Sequence, residues 1–457
     1  MYHAETLKEK IQLFLKILWP IMVTQVSLSM MNLVDTVMAG RVGTSDLAGV
    51  AIGASLWSPI FTGMNGVMLA VTPIIAHHLG RDEKDKIHFI VTQAVYLAVL
   101  LAIAIICIGG TLLAPILNFM NLDGEVQHIA QHYLIGLSIG IIPLFISNVL
   151  RNFYDGQGLT RITMFITILA VPFNVLLNYS LIFGQFGLPR LGGIGAGYAT
   201  AFTYWIILAT SVLMLFKIEV IRRYKIFVDW VMPSLKAWKE QLSIGVPIGL
   251  SIFFESSIFS VVTLLIGIMF STIAIAANQI VISFTSLIFM IPLSLSMAIT
   301  IVVSFSIGGE RLKAAKQYSF LGVLSGIGIL GIAAIFMFFL REPIASLYSN
   351  DPAVIQFAGQ LFLIAILYQL SDGAQSGLQG VLRGYKDVKV PFYIAFVSYW
   401  LFGIPIGYLL AAFTDVGPFG LWIGISIGLT CAAVGFLLRL RFIYRKQRQQ
   451  LNQAVTT

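Results

Sequence analysis

Twelve apolar runs separated by short polar punctuation organise this chain of 457 residues. They lie at about 17–39, 47–76, 89–117, 129–150, 162–184, 195–216, 241–269, 273–305, 318–340, 354–380, 391–413 and 418–438. About 20 apolar residues in a helix cross a bilayer core, and each run reaches that length. None alternates with the period of two that lipid-facing strands require, so the pattern predicts helices and not a barrel. Inside the runs the polar residues fall on helical stripes. In the tenth run Tyr368, Asp372, Gln375, Ser376 and Gln379 stand at i, i+4, i+7, i+8 and i+11. In the seventh, Ser251, Glu255 and Phe259 align; in the first, Asp35 follows Asn32 by three residues and Gln25 by ten. Asn174 and Asn178 lie one turn apart after Pro172 in the fifth, and Asn278 and Gln279 are adjacent in the eighth.

The punctuation recurs half a chain apart. Pro20 matches Pro247 at a shift of 227, while Ala48 matches Ala276 and Gly156 matches Gly384 at 228. Gly80-Arg-Asp-Glu and Gly308-Gly-Glu-Arg each close the second run of their half. Six runs per half is an even number, so both halves enter the membrane the same way round. A pseudo-twofold axis along the membrane normal is the expected relation. The predicted organisation is a first six-helix bundle at 1–216, a cytoplasmic linker at 217–240, a second bundle at 241–438 and a basic tail at 439–457. Pro20, like Pro247, interrupts a span and is a candidate hinge.

Composition agrees with a membrane protein: 58% hydrophobic and 11% charged. With both termini cytoplasmic, 25 of the 28 Lys and Arg fall inside, against Arg41, Arg190 and Arg341 outside. That asymmetry fixes the topology. It also accounts for the net charge of +8 without nucleic acid as a partner. The first run is long enough to span and has no small-residue cleavage site, so it reads as a retained helix and not a signal peptide. Cys107 and Cys431 lie alone in separate runs and read as small core residues, not a disulfide or metal site. Gly193-x-Gly195-x-Gly197 and Gly420-x3-Gly424-x3-Gly428 open membrane helices, where close packing explains them better than phosphate binding. His77-His78 sits at a cytoplasmic helix end and reads as interfacial. No catalytic constellation can be placed, which argues against an enzyme.

Three acids and no Lys or Arg lie within the runs: Asp35, Glu255 and Asp372. A charge at mid-bilayer costs roughly 2.5–3.5 kcal/mol on insertion scales, so it persists where it has a task. Negative charge without a basic partner asks for a cation. At 1.5 Å per residue, Glu255 and Asp372 lie ~21 and ~17 Å from the cytoplasmic side, which allows them to face one cavity. Asp35 lies ~28 Å up, in the outer half. Asn174 and Asn178 are expected to share its cavity, and Asn278, Gln279 and Gln375 to add neutral oxygens near the others. Tyr368, one turn before Asp372, is placed to offer its ring to a cation.

Val34-Asp-Thr-Val-Met-Ala-Gly40 after Pro20, Glu255 in the seventh run and Tyr368-x3-Asp372 in the tenth resemble the multidrug and toxic compound extrusion (MATE) family, and within it the NorM-type bacterial branch. The resemblance covers nearly the whole chain. It implies an all-α integral membrane protein with twelve helices in two six-helix bundles around a V-shaped central cavity. It implies export of organic cations, dyes and cationic antibiotics among them, in exchange for Na+ or H+ and without a cofactor. By matching position, Glu255 and Asp372 would bind the coupling cation (Na+ as their metal) with Tyr368 adjacent, and Asp35 would serve protons or substrate. Asn350-Asp351 matches acidic loop positions tied to drug contact, with an amide in the first place. A bacterial inner-membrane monomer is expected. The alternative, a flippase for lipid-linked sugars on a related scaffold, would need Lys or Arg in the cavity to meet a diphosphate.

Overall fold

A computed structural model describes residues 4–229 and 231–456 and divides the chain into two compact units. Eleven of the described helices are long and apolar enough to cross a membrane, or twelve if one bent pair is a single span. One unit comprises Leu15–Gly249; the other comprises Ala4–Phe14 and the chain from Leu250 onward.

The first unit takes most of α1 (Leu7–Val42), then α2 (Thr44–Met68), α3 (Val71–Gly80), α4 (Asp85–Phe119), α5 (Gly124–Ser138), α6 (Ile141–Gly156), α7 (Thr160–Phe183), α8 (Gly193–Lys217) and the short α9 (Glu219–Arg222). Its core is apolar: Ile75, Ile87, Val91, Phe145, Leu150 and Phe153 are fully buried together. The buried Tyr154 finds its partner in the Ser211 carbonyl, 2.5 Å away. The fourth apolar run, expected as one span, is the pair α5 and α6, bent by 51°. Pro143 accounts for part of the bend, because it has no N–H to give the Ile139 carbonyl one turn back. The Trp205 indole N–H supplies that bond instead, at 3.2 Å.

The boundary between the units falls inside α10 (Leu235–Met269), three residues after Pro247, and the other crossing of the chain falls inside α1. The expected linker 217–240 therefore lies wholly in the first unit. It is pinned there by α4: Gln93 donates to the Met232 carbonyl at 2.7 Å and Tyr96 to the Val231 carbonyl at 2.9 Å.

The second unit continues through α11 (Thr272–Gly308), α12 (Leu312–Ser346), α13 (Pro352–Gly384), α14 (Lys389–Phe396), a π-helical stretch (Val397–Gly403), α15 (Ile404–Phe413) and α16 (Pro418–Thr456). The basic tail from Arg439 is a continuation of α16. Asp351, expected at the drug-contacting loop, caps α13 by accepting from the Ala353 N–H at 2.9 Å. Helix α13 packs among α11, α12 and α16 and is unbroken where its first-half counterpart bends. The glycine series are packing devices, as expected. A Cβ on Gly424 would stand 2.4 Å from the Gly403 carbonyl oxygen, and one on Gly197 would stand 2.3 Å from that of Tyr133. Cys107 and Cys431 differ from expectation: both are exposed on helix faces and are not core residues.

Candidate functional site

Each unit buries an acidic cluster of its own. In the first, Asp35 on α1 is 6% exposed and is met by α7 and α8. Its Oδ1 accepts from Asn178 Nδ2 at 2.6 Å and from Asn174 Nδ2 at 3.4 Å, and its Oδ2 accepts from the Thr200 hydroxyl at 2.7 Å. The i, i+4 spacing puts both asparagines on one face of α7, so the expected grouping of Asp35, Asn174 and Asn178 is present. The amide oxygens of Asn174 and Asn178 are buried with no hydrogen-bond partner. Buried acceptors rarely stay unpaired. Two such oxygens beside a carboxylate make a donor set suited to a hard monovalent cation. Tyr133 and Tyr204 stand within electrostatic reach of Asp35, and Gly53 makes room for the Tyr133 ring.

Not every residue of the α1 stripe joins. Gln25 is buried, but Asn32 is exposed. Asn32 stands about 60° round the helix from Asp35, so spacing alone does not account for its exposure. Thr200 was not legible as a site residue. Membrane threonines commonly return their hydroxyl to the i−4 carbonyl, as Thr203 does to Ala199 at 2.8 Å.

In the second unit Glu255 on α10 and Asp372 on α13 are 7% and 1% exposed and lie within electrostatic reach of one another. Ser376, one turn on, holds its hydroxyl 3.1 Å from Asp372 Oδ1 and 3.1 Å from Gln375 Oε1. Gln375 donates from Nε2 to the Tyr399 hydroxyl at 2.7 Å and hydrogen-bonds Glu255. Tyr399 is set by the π-helical stretch, a local over-widening that recurs at functional sites. Asp372 Oδ2 is buried with no hydrogen-bond partner.

Four expectations need correcting here. Asn278 does not reach the carboxylates: it accepts from the Trp422 indole at 2.9 Å and donates to the Thr263 hydroxyl at 3.3 Å. Gln279, about 100° further round the same helix, is exposed and lies against Ser283. Tyr368 lies within electrostatic reach of Asp372 and Glu255, but its ring is buried in edge-to-face contact with Phe259 at 5.5 Å and Trp422 at 6.1 Å. Nor are the buried acids free of bases. Arg383, read as a loop residue, is 4% exposed at the end of α13, and its charge acts on Glu255. Asp155 is a fourth buried acid; it accepts from the Thr163 hydroxyl at 2.8 Å and lies within reach of Arg151.

At the end of α3, His78 and Glu83 meet at 2.6 Å and Lys86 adds a contact at 2.9 Å, which ties the loop that follows. The Lys86 ammonium, with His78 beside it, holds the Glu83 carboxyl down to about 2.

Comparison with known proteins joins these halves to one family. The MatE family profile matches residues 20–180 and 247–409, one segment in each half. The chain is 50% identical over 446 residues to the "Probable multidrug resistance protein NorM" of Oceanobacillus iheyensis, covering 98% of this chain and 100% of that one. It is 47% identical to the protein of the same description in Bacillus subtilis, covering 98% and 99%. Among solved structures, the eukaryotic MATE transporter AtDTX14 superposes with a TM-score of 0.85 at 22% identity, covering 95% of this chain and 96% of that one. The Vibrio cholerae MATE transporter VcmN in its bent form superposes with a TM-score of 0.87 at 19% identity, covering 97% and 99%. With a profile match in both halves and near-half identity along almost its whole length, the chain belongs to the MATE family of secondary transporters.

Proposed function

We propose that this protein exports organic cations from a bacterial cell, across the inner membrane, in exchange for Na+ or H+. The observation that carries the reading is chemical. Each unit holds buried carboxylate oxygen against a shell of neutral amides and hydroxyls, with unpartnered oxygens at Asn174, Asn178 and Asp372. Such sites bind positive charge. The relatives named as multidrug resistance proteins support the choice of drugs as the cargo. The positive-inside asymmetry supports cytoplasmic termini.

The exchange works by competition. A coupling ion entering Glu255 and Asp372, or Asp35, neutralises the carboxylate that holds an organic cation, and the cargo's affinity falls by the coupling free energy between the two. An unloaded cluster repels itself, so the return step occurs with ion or drug aboard. Na+ would be served by the carboxylate, amide and hydroxyl oxygens in place; a proton needs only one carboxyl in a desolvated site. We favour Na+ on that donor set. Arg383 does not turn the second cluster into an anion site, because two carboxylates oppose its single charge.

Ethidium efflux from proteoliposomes decides the matter. An imposed Na+ gradient, or failing that a pH gradient, is expected to accelerate efflux; acceleration by neither overturns the reading.

A further inference from the structure

In the second unit a stripe of buried polar residues runs down α13 from Asp372 through Gln375, Ser376 and Gln379 to Arg383. Glu255 stands beside its middle. Gln375 hydrogen-bonds Glu255, Ser376 touches Asp372, and Gln379 accepts from Arg383 Nη2 at 2.9 Å. Another guanidinium nitrogen, Nη1, is buried with no hydrogen-bond partner, which leaves donor capacity within the cluster unused. Two carboxylates and one guanidinium leave one formal negative charge.

The first half shows what has changed. At the repeat shift of 228, Arg383 faces Asp155 and Gln379 faces Arg151. There the base has an acid on its own helix: Arg151 and Asp155 are one turn apart and within electrostatic reach. Asp35 is left to three neutral donors. In the second half the base has moved on by one turn, its former place is an amide, and the acid whose charge acts on it is Glu255.

We propose that Arg383 is the resident counter-ion of the second cluster. It offsets one of the two negative charges at all times, so the cluster takes up and releases one monovalent cation, held chiefly by Asp372. Without the base, two uncompensated carboxylates would hold a monovalent cation too tightly to release it and would admit a divalent one. Arg383 is a positioning residue that acts through Glu255 and sets affinity and valence. This rests on the reading of Glu255 and Asp372 as the coupling-cation site.

The test is equilibrium binding of radioactive Na+ to the purified full-length protein, at a pH high enough to limit proton competition. Arg383→Gln is expected to bind Na+ roughly tenfold tighter or more than the parent, as loss of a nearby positive charge requires. Arg383→Lys should stay near the parent. Glu255→Gln should bind more weakly, and adding Arg383→Gln to Glu255→Gln should recover at least about tenfold of that loss. A merely structural arginine gives no such rescue, and the ranking stands on the Glu255 background even where Arg383→Gln alone fails to fold. The double variant binding no tighter than Glu255→Gln alone overturns the proposal. A parent and Asp372→Asn that bind alike would instead overturn the site assignment beneath it.

Discussion

The two buried clusters solve one problem in different ways. Asp35 is a single carboxylate met by three neutral donors from α7 and α8. Glu255 is hydrogen-bonded by Gln375 and Asp372 by Ser376, and a buried base, Arg383, stands at the end of the stripe. The scaffolds repeat, yet the charges do not. An isolated acid is met by dipoles alone, whereas two acids held close in a dry site also repel one another, a cost that a nearby base reduces. Matching helices thus carry a different arrangement of buried charge in each half.

The strongest way to break this comparison is to remove the acids. Glu255→Gln with Asp372→Asn is expected to abolish ethidium resistance in cells while the protein stays in the membrane, a loss of at least about tenfold in efflux. Wild-type resistance in that variant would count against the second cluster. Asp35→Asn should instead change substrate range or the pH dependence of efflux between about pH 6 and pH 8, the range in which a tuned carboxyl sets rates. An unchanged profile would leave the first cluster structural. The donors sharpen the contrast next. Asn178→Ala removes the shortest bond to Asp35, a charge-assisted bond worth about 1.5–3 kcal/mol, and should alter the Kd for an organic cation more than Ser376→Ala does. Trp422→Phe keeps the ring among Phe259 and Tyr368 but leaves the Asn278 oxygen buried without its donor. A cost of about 1–3 kcal/mol should appear as a Tm lower by a few degrees, read by thermal unfolding in detergent. The smallest effect lies outside the spans. The folded-state value of Glu83 sits near 2, below the ordinary 4.5, so its stabilising contribution is complete above the ordinary value and fades as pH falls toward 2. Glu83→Gln should lower Tm at pH 6, and the difference from the parent should shrink toward pH 3.

The spanning helices were legible from run length, because the bilayer sets it. The bend at Ile139 and Gly140 was not, since it depends on Trp205 from another helix supplying the bond that Pro143 cannot. Spacing fixes which residues share a face, and the structure does bring Asn174 and Asn178 to Asp35 and Gln375 to Glu255. Spacing is silent on what lies across the gap. For that reason Asn278 was misplaced, its amide being taken up by Trp422 144 residues away, and the aromatic contacts of Tyr368 with Phe259 and Trp422 went unseen. Arg383 was misread because the end of an apolar run does not reveal whether a side chain turns out to water or back along its helix. Thr200 carried no signal at all: in a sequence it is one more membrane threonine.

Competition binding tests the central claim most directly. The affinity of the purified protein for tetraphenylphosphonium, a cation of fixed charge, is measured with and without the coupling ion, in the parent and in Glu255→Gln/Asp372→Asn. The account predicts that Na+ or H+ weakens binding in the parent and that this competition is lost in the variant. An equal ion effect in both proteins would contradict it.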